Sequence, residues 1–460
     1  MMRLLNQRLS NPQKIALSFL FVIFIGSLLL SLPISQLPTS QATYIDHLFI
    51  SVSAVCVTGL FTQSIAESYT RFGQVVLMAL IQVGGLGLMT IIGLIYIRIG
   101  QKIRLSNQLV LADALNKESV FDTKDFIANI FKYTAIIEGI GALLFATYFI
   151  PHLGWFKGTF TALFMAVSAF CNAGFDPLSN QSMIPYQTVP VINWTIMALI
   201  VLGGIGYSVW FDISHQIRHF NWHHPKLSLR MAYKKLHIHS KLALLMTALL
   251  ILIGALLFCL VEWHNTQTIG QLSIGNKIMT GFFQTITMRT AGFASIDYTL
   301  AKPISLLIFI VTMFIGGSPG STAGGLKTTT FALVLMMAWA EIKQSEPINF
   351  AKRTIPRPLV RKAFVIFMLY VSLLVIGSGL ILSFDPGTDY LYILFESVSA
   401  IATVGVTANL TTELSTASHI VIMLMMFIGR IGPMTMFLSL RFKNDDKTEV
   451  NYARGNILIG

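Results

Sequence analysis

Long apolar runs alternate along the chain with short apolar stretches carrying interspersed serine, and the alternation repeats. The long runs fall near 14–32, 73–97, 131–150, 191–211, 242–262, 303–340, 363–383 and 418–439. Most approach or exceed the ~20 residues that carry a helix across a bilayer. Between the members of each pair lies a stretch of 11 to 13 residues: Ile45–Val57, Phe160–Cys171, Ile278–Met288 and Tyr390–Ile401. These are too short to span, so the pattern predicts four re-entrant half-helices. Non-helical backbone at membrane depth survives only where protein buries it or where it lines a wet cavity. The predicted fold class is an all-α integral membrane protein with eight spans and four half-helices around a pseudo-fourfold pore. Its tandem modules, each span, half-helix, turn and span, cover residues 1–100, 101–217, 218–343 and 344–460.

Each half-helix ends at a glycine: Val57-Thr58-Gly59, Asn172-Ala173-Gly174, Thr290-Ala291-Gly292 and Thr403-Val404-Gly405. These glycines are 115, 118 and 113 residues apart, and a phenylalanine stands ten residues before each (Phe49, Phe164, Phe282, Phe395). Ser-Ala occupies the sixth and fifth positions before three of them. A period near 115 is too long for a solenoid and suits one module used four times. One such turn alone reads as a helix C-cap. Four in register, each between two spans, reverse that reading.

Further glycine clusters begin 25, 29, 24 and 24 residues after the turn glycines, at Gly84, Gly203, Gly316 and Gly429. Those in the first two modules lack the third glycine and the preceding strand of a dinucleotide turn. Close helix packing is the first reading for them and a hinge the second. The third module departs from the rest. Its run 303–340 is too long for one span, and its centre reads GGSPGSTAGGLKTTT. No lipid-facing helix favours that composition. The segment resembles a phosphate loop only superficially, because Leu326 separates glycine from Lys327. A polar break facing a water-filled cavity fits better, with Lys327 either an intramembrane charge or a side chain snorkelling to the inner interface.

Composition agrees: 54% of the 460 residues are hydrophobic and 11% charged, against roughly 25% charged in soluble proteins. The net charge of +12 tracks topology, with no reason to invoke nucleic acid. The N-terminus, the loops 98–132, 212–241 and 341–362, and the C-terminus hold 25 of the 32 Lys and Arg. That bias puts both termini in the cytoplasm. Lys327 and Arg430 remain within spans. The opposite side carries more acids than bases, a field that concentrates cations. Three cysteines are too few for a disulfide framework, and Cys56 and Cys171 read as small residues behind turns. The loop with His215, His219, His223, His224, His237 and His239 lacks acidic or thiol co-ligands apart from Asp212, so a solvated or docking face is expected there. Lys14–Leu32 is expected to be a span, as no small-residue cleavage site follows it.

Backbone carbonyls can replace the water shell of a dehydrated cation, and glycine tolerates the angles that aim them down one axis. Each half-helix would add the partly negative end of its dipole. A dehydrated cation is therefore the expected ligand of the four turns, with no covalent cofactor and no other metal. Arg289 and Glu396, three and nine residues before their glycines, are expected to form an ion-pair network behind the turns. Glu138 should face protein or snorkel inward.

The run TMRTAGFASID (Thr287–Asp297), the four turns and GGSPGSTAGG resemble the Trk/Ktr/HKT superfamily of potassium-uptake proteins across essentially the whole chain. The bacterial Ktr-type membrane subunit is most similar. The resemblance implies that Gly59, Gly174, Gly292, Gly405 and the residues before them bind potassium through carbonyls. It associates glycine in the first turn with potassium over sodium. It also implies an intramembrane gating loop, comprising Gly316, Gly317, Ser318, Gly320, Gly324, Gly325 and Lys327, and a pore charge at Arg430. A homodimer on a cytosolic RCK-type nucleotide-binding ring follows from it, with nucleotide only on that partner. The rivals are an alternating-access secondary cation transporter, which also uses broken helices, and a membrane enzyme. The enzyme reading lacks convergent catalytic groups in the spans.

Overall fold

The computed structural model describes residues 10–87, 90–91, 123–179, 181–217, 231, 233–345 and 347–440. Most of the 98–132 connection, His219, His223, His224 and the tail Asn456–Gly460 lie outside the described residues. The described chain is almost wholly helical, apart from one two-stranded hairpin (Asn349–Phe350 with Arg353–Thr354).

The same order of elements recurs four times. First come α1 (Asn11–Ser31), half-helix α2 (Tyr44–Cys56) and α3 (Arg71–Leu86). Next are α4 (Thr123–Leu153), half-helix α5 (Trp155–Cys171), α6 (Pro190–Gly204) and α7 (Tyr207–Ile217). Then follow α8 (Ile238–Glu262), half-helix α9 (Ile274–Thr287), α10 (Pro303–Phe314) and α11 (Thr328–Ile342). The last set is α12 (Arg357–Phe384), half-helix α13 (Tyr390–Ile401), α14 (Thr416–Ile431) and α15 (Pro433–Leu440).

Starts are fixed by local chemistry. Thr43 and Asp46 form a capping box at α2, Ser273 and Asp389 cap α9 and α13, and proline opens α6, α10 and α12. At the C-terminal end of α8, the buried Glu262 carboxylate closes α8 onto α10. It accepts from Asn265 and Thr268 (both 2.7 Å), the Lys302 amide (2.9 Å) and the Ser305 hydroxyl. Asp385 does the same between α12 and α14, accepting from the Ser415 amide and from the Ser415 and Ser418 hydroxyls.

Among the described residues, four helices (α1, α4, α8, α12) are long and apolar enough to cross a membrane, or six if each bent pair counts as one span. The expected run 73–97 is helical to Leu86, and 303–340 is two helices with a non-helical stretch between. The runs 191–211 and 418–439 bend by 96° and 98°. The four long helices expose large apolar side chains on their outer faces, such as Leu249, Leu252, Leu256 and Leu260 on α8. A contiguous apolar exterior of that extent belongs in a bilayer. The half-helices form the centre, with residues 49–60, 164–176, 283–293 and 395–406 all buried.

The candidate ion-binding turns and the segment beneath them

All four turns share a backbone feature that the sequence did not announce. The residue two before each glycine is left-handed: Val57 (φ 56°), Asn172 (φ 60°), Thr290 (φ 69°) and Thr403 (φ 52°). The glycines follow at φ 106°, 69°, 85° and 94°. Three of these left-handed residues are β-branched, for which the region is strained, and strain repeated at four equivalent positions marks a functional backbone. Asparagine tolerates the angle; Val, Thr and Thr give no such signal.

The serine six residues before the glycine explains its recurrence. Ser53 Oγ accepts from the Gly59 amide and Ser399 Oγ from the Gly405 amide, both at 3.0 Å. The carbonyls of Ser53, Ser168 and Ser399 each take the amide before the glycine at 2.8 Å. In the third turn the anchor moves one place closer, to Thr287, whose carbonyl accepts from Ala291 at 2.9 Å. The fully buried aromatic moves with it, to Phe283; the expected Phe282 is only half-buried.

The turns abut in cyclic order. A methyl group added at Gly59 would lie 2.6 Å from the Ala173 carbonyl oxygen, at Gly174 2.7 Å from that of Ala291, and at Gly292 2.6 Å from that of Val404. At Gly405 it would collide with the carbonyl oxygen of Thr58, closing the circuit. Thr58, Thr290 and Thr403 hydroxyls and both amide atoms of Asn172 are buried with no hydrogen-bond partner.

The Gly316–Gly325 segment lies directly against these groups. A Cβ at Gly324 would strike the Thr403 hydroxyl, and one at Gly316 would lie 3.0 Å from Thr290 Cγ2. The segment is pinned as a closed loop, with Gly316 N bonded to Leu326 O at 2.9 Å and the Ser318 and Thr328 hydroxyls 3.1 Å apart. Its outer bonds reach the second set: Ser318 N to Gly204 O (2.9 Å), Tyr207 N to Gly320 O (2.8 Å) and Thr322 Oγ1 to Phe170 O (3.1 Å). Lys327 does not snorkel. Its ammonium folds back to the Ala323 carbonyl at 2.7 Å and caps the loop. Arg430, from α14, donates to Thr322 O and Gly84 O (2.5 Å each) and to Gly85 O (3.3 Å).

The glycine clusters outside this segment are both packing points and hinges. Gly84, Gly203 and Gly429 press on the carbonyls of Val55, Phe170 and Ile401, each four residues before a turn glycine. Gly87, Gly206 and Gly432 then carry positive φ where the helix ends.

Arg289 and Glu396 are both buried, but they do not pair with each other. Arg289 donates to the Thr247 hydroxyl at 3.2 Å. Glu396 accepts from Thr407 and, at 3.0 Å, from Thr411, bracing the strand of chain that leaves the fourth turn. No ion pair forms at either residue among the described residues: Arg289 lies just past the end of α9 with its Nε unpartnered, and Glu396 is satisfied by the hydroxyls of Thr407 and Thr411. Cys56 and Cys171 are buried free thiols, and Cys171 fills the space against Gly85. Among the described residues no group of His, Cys, Asp and Glu could hold a metal.

Asp176 follows the second turn. Burial pushes its carboxyl up to about 6, against hydrogen bonds from the Leu178 and Ser179 amides and the Ser182 hydroxyl.

Helical hairpins closed around four strained turns, with an apolar exterior, define a polytopic membrane protein of the transport class. The chain belongs to the TrkH family of cation transport proteins, whose model matches residues 7–449. It is 36% identical to the Ktr system potassium uptake protein B of Vibrio alginolyticus over 98% of this chain and 95% of the relative. It is 38% identical to the potassium/sodium uptake protein NtpJ of Enterococcus hirae, covering 100% of this chain and 99% of that one. The crystal structure of the potassium transporter TrkH from Vibrio parahaemolyticus has the same fold, with a TM-score of 0.68 and 17% identity, over 92% of this chain and 84% of that one.

Proposed function

We propose that this chain carries potassium into the cell through a pseudo-fourfold ring of backbone carbonyls. The observation that carries the reading is the cyclic abutment of the four turns, each alternating a left-handed residue with a positive-φ glycine. Such alternation turns successive carbonyls toward one axis, where they can replace a cation's hydration. The buried, unpartnered side chains of Asn172, Thr290 and Thr403 support a polar inner mouth to that ring. The names of the relatives support potassium as the ion.

In this reading the Gly316–Gly325 segment is the gate, held shut by Lys327 and Arg430. Arg430 also sets a positive charge against cations leaving the ring. The chain has eight spans in four modules, 1–100, 101–217, 218–343 and 344–460, with both termini cytoplasmic. It works as a homodimer on a cytosolic nucleotide-binding ring of RCK type, which the basic connections 212–241 and 341–362 would face. Potassium and sodium influx into proteoliposomes holding the purified chain tests the reading. Potassium should enter faster than sodium under an equal gradient, and equal rates or no flux of either ion would overturn it.

A further inference from the structure

Glu138 stands midway along α4, where the helix has membrane depth on both sides. It is turned inward and only 9% exposed. Both of its oxygens accept from Gln82 Nε2 of α3, at 3.1 and 3.3 Å. Cys171, at the end of half-helix α5, completes the cluster, its thiol 3.6 Å from Gln82 Oε1 and 4.0 Å from Glu138 Oε1. No Lys, Arg or His contacts the carboxylate among the described residues. One turn before Glu138 on α4 stands Thr134, whose hydroxyl faces that of Tyr207 from α7; both residues are more than nine-tenths buried.

An unpaired carboxylate in a low-dielectric interior carries a desolvation penalty of several kcal/mol, on the order of that for any isolated buried ion. It is relieved by a proton or by a bound cation. The neighbours favour the proton. They are one amide, one thiol and two hydroxyls, and the amide already occupies both carboxylate oxygens. A metal cation would need a shell of oxygens that this cluster does not supply.

We propose that Glu138 is a proton-binding site whose loading is read by the Gly316–Gly325 segment through Tyr207. The inference rests on reading that segment as the gate. The step is a simple protonation: Glu138 takes a proton from water and changes from acceptor to donor. The Tyr207 hydroxyl, against Thr134 one turn from Glu138, is the group on α7 that feels the change. Tyr207 follows the α6–α7 break, and its own amide holds Gly320 O at 2.8 Å. A methyl at the adjacent Gly206 would lie 2.7 Å from Pro319 O, so a shift of Tyr207 bears directly on the segment. The titratable and charged groups facing the site are Cys171 from α5, Tyr207 from α7 and, beyond these two, Arg430 from α14 with Lys327 next to it. Arg430 commits its donors to carbonyls, not to Glu138.

Two readouts on the full-length chain in proteoliposomes test this. Cation influx in the unmodified protein should change about fivefold between about pH 5.5 and about pH 8.5, the scale of an ordinary coupling energy. Glu138→Gln, neutral at all pH, should flatten that profile, and Tyr207→Phe should flatten it while leaving Glu138 able to titrate. Infrared difference spectra, recorded without any ion gradient, should show a carboxylic C=O band that titrates in the unmodified protein and in Tyr207→Phe. The band should vanish in Glu138→Gln. If Glu138→Gln does not fold, Glu138→Asp should keep a titrating band at shifted pH. A wild-type profile in Glu138→Gln, the absence of a titrating band, or a band that responds to sodium at constant pH would each overturn the proposal. A band that titrates in a chain that moves no potassium would refute the functional reading and leave this one standing.

Discussion

In the second and fourth sets of helices, the helix after the turn bends sharply at one glycine and continues. In the third it comes apart, and residues 315–327 fold into the space beneath the turns. The same point in the fold thus has two solutions. At Gly206 and Gly432 a single positive-φ residue redirects a helix whose preceding turn is packed on a half-helix end. At Gly316 the backbone leaves the helix, closes on itself through Gly316 and Leu326, and bonds to groups from the second and fourth sets, with Arg430 linking it to the first. A hinge needs only local permission from the backbone. A segment folded back on itself needs partners, and here they are carbonyls and hydroxyls left over from neighbouring elements. Three regular repeats therefore act as frame for the irregular one.

The comparison can be broken most sharply at the turns themselves. Gly405→Ser places a side chain on the Thr58 carbonyl at φ 94°, and potassium-over-sodium discrimination should fall about tenfold or more, the equivalent of some 1.4 kcal/mol. Competition fluxes in proteoliposomes would show it, and unchanged discrimination would remove the turns from ion selection. Next in size is deletion of Ser318–Ala323, which takes away the folded segment but not the frame. Flux should rise several-fold with the melting temperature close to that of the parent, whereas a wild-type flux would mean the segment is no barrier. Arg430→Gln should raise flux less, about threefold, by loosening one side of the same segment; a lowered flux would cast the arginine as support alone. Smallest is Asp176→Asn, outside the contrast between hinge and folded segment, which reports on the frame. The native state favours neutral Asp176, with the carboxyl raised from 3.8 to about 6. That stabilisation is complete below about pH 4 and is lost as pH rises through about 6. The variant should melt about 2 °C above the parent near pH 8 and level with it near pH 4. An equal difference at both pH values would rule out the buried carboxyl as the cause.

Much of this was legible before any coordinates. Half-helix lengths, turn glycines and the odd third repeat all follow from hydropathy and glycine spacing, because bilayer thickness and backbone sterics leave few alternatives. The Ser-Ala pairs were visible, but their part in the turn required the structure: the Ser53 and Ser399 hydroxyls cap the glycine amide, whereas Ser168 contributes only its carbonyl. The third repeat hid its register: with Thr287 replacing a serine one place later, the pattern of phenylalanines pointed to Phe282 when Phe283 is the buried ring. Left-handed Val57 and Thr403 could not be read at all, since nothing in a β-branched residue announces positive φ. Side-chain pairing was the weakest inference. An ion-pair network was expected at Arg289 and Glu396, yet the side-chain partners they find are the hydroxyls of Thr247, Thr407 and Thr411.

The bonds of Arg430 have a consequence for how the molecule is made. Gly84 and Gly85 are among the last residues of α3, where carbonyls have no partners within their own helix. The group that satisfies them is 346 residues further along the chain. Gln13, near the start of α1, likewise reaches Ser439 O across 426 residues. During synthesis the first hairpin therefore enters the bilayer with its inner end unfinished, and it stays so until the last helices arrive. Closure of the circle is a late and non-local event, which slows folding. A chain truncated before α14 should insert its early spans and still lack a settled centre.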